Sequence, residues 1–413
     1  MSSAPAPLRA PLILLIGLVA FGPLSTDLYL PALPAIGAEF VATPAQVQLT
    51  LSVFLVGFAV SMLFYGPLSD RFGRRPVLLG SLALYTAASV GCMLAPSIEG
   101  LVLARFLQAL GGCAGPVLGR AIVRDVHGSE RSAQVMSTLA MAMALAPAVG
   151  PVLGGILTEH LGWQANFALL SAFGLLMVVC VWTLLPETNR DQDPHALRPM
   201  QLLRNYGQLV RHRRFAGYVG VVSCGYAAIF AFISGSSFTL IDGLGLSPAT
   251  YGFCFSSAVV GFIIGSFTAS RLHGRVATDT QIRLGTWAAL LGGGTAAGLA
   301  WAGVHTVASV VAPMILVLIG CGLMLPNSMA RGIGPFPRMA GSASALMGFL
   351  QMGFSALVGI LVGLFQDGSP HAMATAIALC ALGAALSFAL LVRPEAAPAA
   401  GAAPTAERDE AAE

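Results

Sequence analysis

Two residues of this 413-residue chain stand where charge is hard to keep. Asp27 lies inside the first long apolar run, near 11–32, and Arg105 inside the fourth, near 98–120. An ionised side chain at the centre of a membrane span costs roughly 2.5–3.5 kcal/mol even on the lenient insertion scale, so each needs a reason to be there. If the first run leads outward and the fourth returns, Asp27 falls about six residues before an outer end and Arg105 about seven after one. At 1.5 Å per residue both then lie about 10 Å below the same surface. They are placed to meet. One account is a structural ion pair in which each charge is tolerated because of the other. The other is a proton site: burial favours the neutral acid, a nearby guanidinium favours the charged one, and changed water access moves a proton on or off. The second is preferred, because intramembrane acids in transporters so often carry protons.

The elements that must hold these residues are membrane helices. Charged residues make up 9% of the chain and hydrophobic ones 56%, against about 25% charged in a typical soluble protein. About 20 apolar residues cross the roughly 30 Å hydrocarbon core, and twelve runs qualify: near 11–32, 47–67, 76–96, 98–120, 132–157, 165–186, 215–240, 249–271, 283–302, 306–329, 340–365 and 371–392. The first run is read as an uncleaved span and not a signal peptide, since it carries Asp27 and lacks a small-residue cleavage site. All 21 basic residues are arginine. Without lysine there is no P-loop to drive an ATP pump and no Schiff base to retinal or pyridoxal phosphate. The seven cysteines lie in apolar runs without C-x-x-C spacing, and the histidines form no H-E-x-x-H. No disulfide framework, metal site or cofactor is expected. Nor is nucleic acid, for no basic stripe with interleaved aromatics appears.

Arginine placement tests the span model. Twenty of the 21 fall before span 1, in alternate loops, or after span 12, and the opposite loops, near 33–46, 95–98, 158–164, 241–248, 303–305 and 366–370, hold none. The exception is Arg105. By the positive-inside rule both termini are cytoplasmic. The expected organisation is a cytoplasmic N-terminus at 1–10, a six-helix half at 11–186, a cytoplasmic central loop at 187–214, a second six-helix half at 215–392, and a disordered Pro/Ala-rich tail at 393–413. Within the central loop, Met200 to Arg214 has the pattern of an amphipathic helix on the membrane surface.

The stretch Gly66-Pro67-Leu68-Ser69-Asp70-Arg71-Phe72-Gly73-Arg74-Arg75-Pro76-Val77 reads as a tight basic hairpin between spans 2 and 3, with Pro67 and Pro76 punctuating the flanking helix ends. Its spacing, G-x-x-x-D-R-x-G-R-R, resembles the signature of the major facilitator superfamily. Leu101-Val102-Leu103-Ala104-Arg105-Phe106-Leu107-Gln108-Ala109-Leu110-Gly111 is similar to that family's span-4 motif, whose arginine is associated with proton transfer. Ser25-Thr26-Asp27-Leu28-Tyr29-Leu30-Pro31-Ala32-Leu33-Pro34 is similar to the span-1 signature of the Bcr/CflA branch of drug:proton antiporters. Ala146-Pro147-Ala148-Val149-Gly150-Pro151-Val152-Leu153-Gly154-Gly155 resembles the antiporter motif of span 5, which leaves Pro147, Gly150, Pro151, Gly154 and Gly155 to kink that span and seal the halves. Leu325-Pro326-Asn327 and Ala340 to Leu346 are similar to Bcr/CflA text in spans 10 and 11.

The resemblance implies an all-α major facilitator fold, two six-helix halves with pseudo-two-fold symmetry, in a bacterial cytoplasmic membrane. It implies a proton-coupled antiporter, not an enzyme, that exports small amphipathic drugs or antibiotics and needs no cofactor beyond the proton gradient. A dedicated exporter of a metabolite, such as an amino acid or nucleoside, is the alternative on the same scaffold. Asp27 and Arg105 would couple protons and touch substrate, joined by Tyr29, Gln108, Tyr226 and Phe230 on the cavity-lining spans. Gly66, Asp70, Arg71, Gly73, Arg74, Arg120, Arg124 and Asp125 would form a conformational latch. The expected partners are substrate, protons and lipid, with the chain acting as a monomer.

Overall fold

The computed structural model describes residues 11–189, 192 and 199–392. The expected N-terminus 1–10, the tail 393–413 and central-loop residues 190–191 and 193–198 lie outside the described residues. Among the described residues fourteen α-helices follow one another: α1 (Leu12–Asp27), α2 (Leu33–Glu39), α3 (Pro44–Phe72), α4 (Arg74–Met93), α5 (Ile98–Gly112), α6 (Ala114–Leu161), α7 (Gln164–Leu184), α8 (Pro199–Arg211), α9 (Arg213–Ser237), α10 (Pro248–Leu272), α11 (Thr278–Trp301), α12 (Val307–Ile333), α13 (Ala340–Leu364) and α14 (His371–Leu391). No strand occurs among the described residues.

Eleven helical stretches among the described residues are long and apolar enough to cross a bilayer. The ninth expected span, 283–302, is also helical, within α11, but Gly285, Gly292, Gly293, Gly294 and Gly298 dilute its apolar character. Spans 4 and 5 share the 48 helical residues of α6. A straight helix of that length would extend about 72 Å. Yet Gly115 lies against Leu18 and Gly154 against Leu28, both along the first span, so the run doubles back on itself.

The two halves repeat one packing scheme. In the first, the first span packs on the fifth (α1 on α6), the second on the fourth (α3 on α5), and the third on the fourth and sixth (α4 on α5 and α7). In the second half the same pairings recur as α9 on α13, α10 on α12, and α11 on α12 and α14. Helix caps repeat as well. The second span of each half opens with a capping hydroxyl followed by proline, Thr43-Pro44 and Ser247-Pro248, and the fourth with Ser97 and Thr306. Each hydroxyl accepts a first-turn N–H that the helix itself leaves unpaired. The halves meet along two seams, α3 with α13 and α6 with α10.

One expectation is corrected. The basic hairpin is not a loop: α3 continues through Gly66 and Pro67 to Phe72, and α4 begins at Arg74. Pro76 sits in the first turn of α4, where its missing N–H would be unpaired anyway. Gly73 alone makes the turn, at φ +95°, and a Cβ there would also run into the Glu187 carboxylate. The first span does break. Pro31 has no N–H to offer the Asp27 carbonyl four residues back, so α1 ends at Asp27 and a 3-10 turn at Leu30–Ala32 leads into α2.

Candidate functional site

The site begins at that break. Asp27 is the last residue of α1 and is 3% exposed. Thr26 Oγ1 donates to Asp27 Oδ1 at 2.9 Å. Asp27 packs against α6: the Cβ position of Gly150 lies 3.3 Å from Asp27 Cβ. The 3-10 turn that follows it, Leu30–Ala32, packs against α9 and α10 of the second half. The acid therefore stands beside the α6–α10 seam between the two halves.

Arg105 is fully buried on α5 and forms no ion pair among the described residues. Nη1 donates to the Ser25 carbonyl at 3.0 Å and to Gln108 Oε1 at 2.5 Å. The guanidinium carbon lies 4.4 Å from the Tyr29 ring centroid and 4.3 Å from that of Phe54, with Phe167 at 5.9 Å. Such stacking is worth about 2 kcal/mol or more when desolvated. Nε and Nη2 have no hydrogen-bond partner among the described residues. Around this cation a polar web ties three helices to α1: Gln108 Nε2 donates to Ser89 Oγ at 2.7 Å, Ser25 Oγ pairs with Tyr85 OH at 2.7 Å, and Tyr29 OH with Thr50 Oγ1 at 2.5 Å.

Asp27 and Arg105 are thus neighbours of one segment without touching. Ser25 near the end of α1 and Tyr29 just past it both meet Arg105, while Asp27 is turned about 200° from Ser25. Equal depth brought the pair to one level, and helix phase put them on opposite sides.

The remaining expected contacts divide. Tyr29 and Gln108 both join Arg105. Phe230 is fully buried, its ring filling the space that Gly359 of α13 leaves open. Tyr226 is half-buried on the same helix. The span-5 glycines hold helices together. Gly154 lies on the Leu28 carbonyl and Gly155 on the Pro248 carbonyl, so α6 carries α1 on one side and α10 on the other at backbone contact. Pro147 and Pro151 interrupt the backbone ladder of α6 just before them. At the arginine-free end, Glu159 accepts the Ala249 N–H in the first turn of α10 at 3.3 Å. Beside the α3–α13 seam, Gln48 Nε2 of α3 donates to the Ser234 carbonyl of α9, while Gln48 Oε1 and the hydroxyls of Ser52, Ser234 and Ser237 stay buried and unpaired among the described residues.

At the opposite, basic end, Arg74 takes both acids of the expected latch. Nη1 reaches Asp70 Oδ1 at 2.5 Å and Ser69 Oγ at 2.5 Å, and Nε reaches Asp125 Oδ2 at 3.1 Å. Arg71 is exposed beside Phe72, Arg124 is exposed, and Arg120 is half-buried. None of these three bonds to Asp70, Arg74 or Asp125. Gly66 has open space around it. Glu187 is the member that motif spacing misses. Its carboxylate accepts the backbone N–H groups of Arg74, Arg75, Thr188 and Asn189, three at 2.9 Å and that of Arg75 at 3.1 Å, and so caps the positive end of α4. Leu185-Pro186-Glu187-Thr188, directly after an apolar run, carries the signal that could find it: an acid that close to a span end has helix termini within reach.

Residues 14–360 match the family model of the Major Facilitator Superfamily. The chain is 29% identical over 380 residues to the "Bicyclomycin resistance protein homolog" of Haemophilus influenzae, covering 89% of this chain and 92% of that protein. It is 30% identical over 360 residues to "Multidrug resistance protein D" of Escherichia coli, covering 86% and 89%. Among solved structures, the xylose transporter XylE from E. coli, in a partially occluded inward-open conformation, matches with a TM-score of 0.71 over 92% of this chain and 96% of that one, at 14% identity. That last likeness is one of fold alone.

Proposed function

This chain belongs to the major facilitator superfamily, and on that premise we propose that it exports small amphipathic drugs or antibiotics in exchange for protons. The observation that carries the reading is Asp27: a buried carboxylate with no cationic partner among the described residues, at a helix break, packed against α6, one of the helices that join the two halves. A buried acid without a counter-ion holds its charge only when a cation, a proton or water replaces the missing partner. Substrate and proton compete for that one place, and this is the minimal requirement for exchange. Relatives named for bicyclomycin and multidrug resistance favour a drug as the exported compound.

In this reading the basic face is cytoplasmic and both termini lie there. The halves are then closed toward the outside by the Gly155–Pro248 contact, the Glu159 cap and the Gln48–Ser234 bond. Unpaired hydroxyls in a buried seam cost about 1–3 kcal/mol each, so water entering that seam favours its opening. Opening exposes Asp27 to the outer side, a proton neutralises it, and the substrate loses its hold. Arg105, bound to the Ser25 carbonyl, keeps the end of α1 in place while the cargo changes. No cofactor enters the cycle; the proton gradient drives it. The Arg74–Asp70–Asp125 cluster with Glu187 acts as the latch on the basic side.

The test is drug uptake into inverted membrane vesicles across a compound panel, with and without an imposed pH gradient. Gradient-dependent uptake by the wild type that Asp27→Asn abolishes supports the reading. Uptake that ignores the gradient, or survives the substitution, removes it.

A further inference from the structure

The short helix α8, which the transport cycle leaves unused, lies on the basic side of the second half. Leu209 is fully buried, Tyr206 half-buried, and Asn205 Nδ2 donates to Ser342 Oγ in the first turn of α13 at 3.5 Å. Those three share one arc of the helix. Val210 belongs to the apolar side as well, yet it is 55% exposed, because the protein covers only part of that side. Arg204 and Arg211, two turns apart on one face, flank it and are exposed. Neither meets an acidic side chain among the described residues. Arg211 also suits the negative end of α8, but Arg204 in mid-helix has no such reason. Just beyond, Arg213 spends Nη2 on the Leu390 carbonyl at the end of α14. An uncovered apolar side chain beside two exposed arginines is the pattern of a helix lying in a lipid interface, with cations at headgroup level and the apolar group in the acyl boundary.

We propose that the outer face of α8 is a binding surface for anionic phospholipid headgroups, held by Arg204 and Arg211 with Val210 inserted beside them. The occupant is a lipid and not free phosphate, because phosphate alone leaves Val210 in water. The bound lipid presses α8 onto the first turn of α13, one of the two helices that form the α3–α13 seam. This inference does not depend on what the protein transports.

The experiment uses the full chain purified in detergent and native mass spectrometry with added phosphatidylglycerol or phosphatidylcholine of matched acyl chains. Wild type should keep phosphatidylglycerol in preference, and Arg204→Gln with Arg211→Gln should weaken that retention by roughly tenfold to thirtyfold. Arg204→Lys with Arg211→Lys should restore most of it, and Val210→Gln should cost several-fold. Arg283→Gln, an exposed arginine at the start of α11, should change nothing. Equal retention of the two lipids, an unaffected double glutamine variant, equal loss with Arg283→Gln, or displacement by inorganic phosphate alone would each overturn the proposal.

Discussion

Arg74 and Arg105 sit in the same half of the protein, both with little or no exposure, and are treated in opposite ways. Arg74 is surrounded by acceptors: two carboxylates and a hydroxyl bind it, and Glu187 caps the helix it begins. Arg105 has a carbonyl, an amide oxygen and two aromatic faces, and it leaves two nitrogens unbonded among the described residues. Asp27, on the far side of α1, is equally short of an opposite charge. Charges that are fully paired hold helices in place and gain little from any further ligand. Charges buried without a counter-ion destabilise the resting protein and are stabilised by whatever arrives, which is how a site responds to its cargo.

The contrast can be broken most directly at Asp27. Asp27→Asn should reduce gradient-driven drug uptake in inverted vesicles to background while leaving thermal stability unchanged or raised, since an uncompensated buried charge is gone. A fall in stability would mean that the carboxylate is structural. Next in size, Arg105→Met should abolish uptake and raise thermal stability, because the desolvation cost of an unpaired buried cation outweighs the stacking and the two hydrogen bonds that are lost. Arg74→Met should do the reverse in stability, lowering it by about 1–2 kcal/mol because Asp70 and Asp125 lose their partner while remaining partly in water. Melting curves of the two variants in one detergent decide the matter. Opposite signs sharpen the distinction, and equal signs dissolve it.

A smaller effect is expected at Glu187→Ala, which uncaps α4 and should cost roughly 1 kcal/mol, with wild-type substrate affinity kept. The smallest lies at the exposed end of the scale. Asp367, on the arginine-free face, accepts Ser369 Oγ and N–H bonds that hold its carboxyl below the ordinary carboxylate range. A depressed acid adds stability that is present above its unfolded value and lost as pH falls through its folded one. Ser369→Ala should shift that loss upward toward the usual range of aspartate, by a margin that solvent screening keeps slight. A pH series of melting curves for the two proteins checks the direction.

Much of this molecule is legible in one dimension. Twelve apolar runs, twenty arginines on one side and one out of place, and the motif text of spans 1, 2, 4 and 5 lead to a two-half membrane transporter, because span length and loop charge are local properties. So is the break after Asp27, which one proline four residues on imposes. The hairpin of α3 and α4 is harder to read, since Gly66 and Pro67 are compatible with either a loop or a helix, and only the angle at Gly73 separates the two.

What the chain alone determined, then, is which residues are charged and at what depth they lie. What only the tertiary structure decided is whom they face. Two residues along α1 reverse a side chain's direction, so Arg105 finds Ser25 and Tyr29 while Asp27 finds Gly150 of α6. Lateral neighbours cannot be inferred from hydropathy where lipid and protein interior are alike apolar. They follow from small residues such as Gly154 and Gly155 letting backbones touch, and from acids such as Glu187 finding helix ends more than a hundred residues away in sequence.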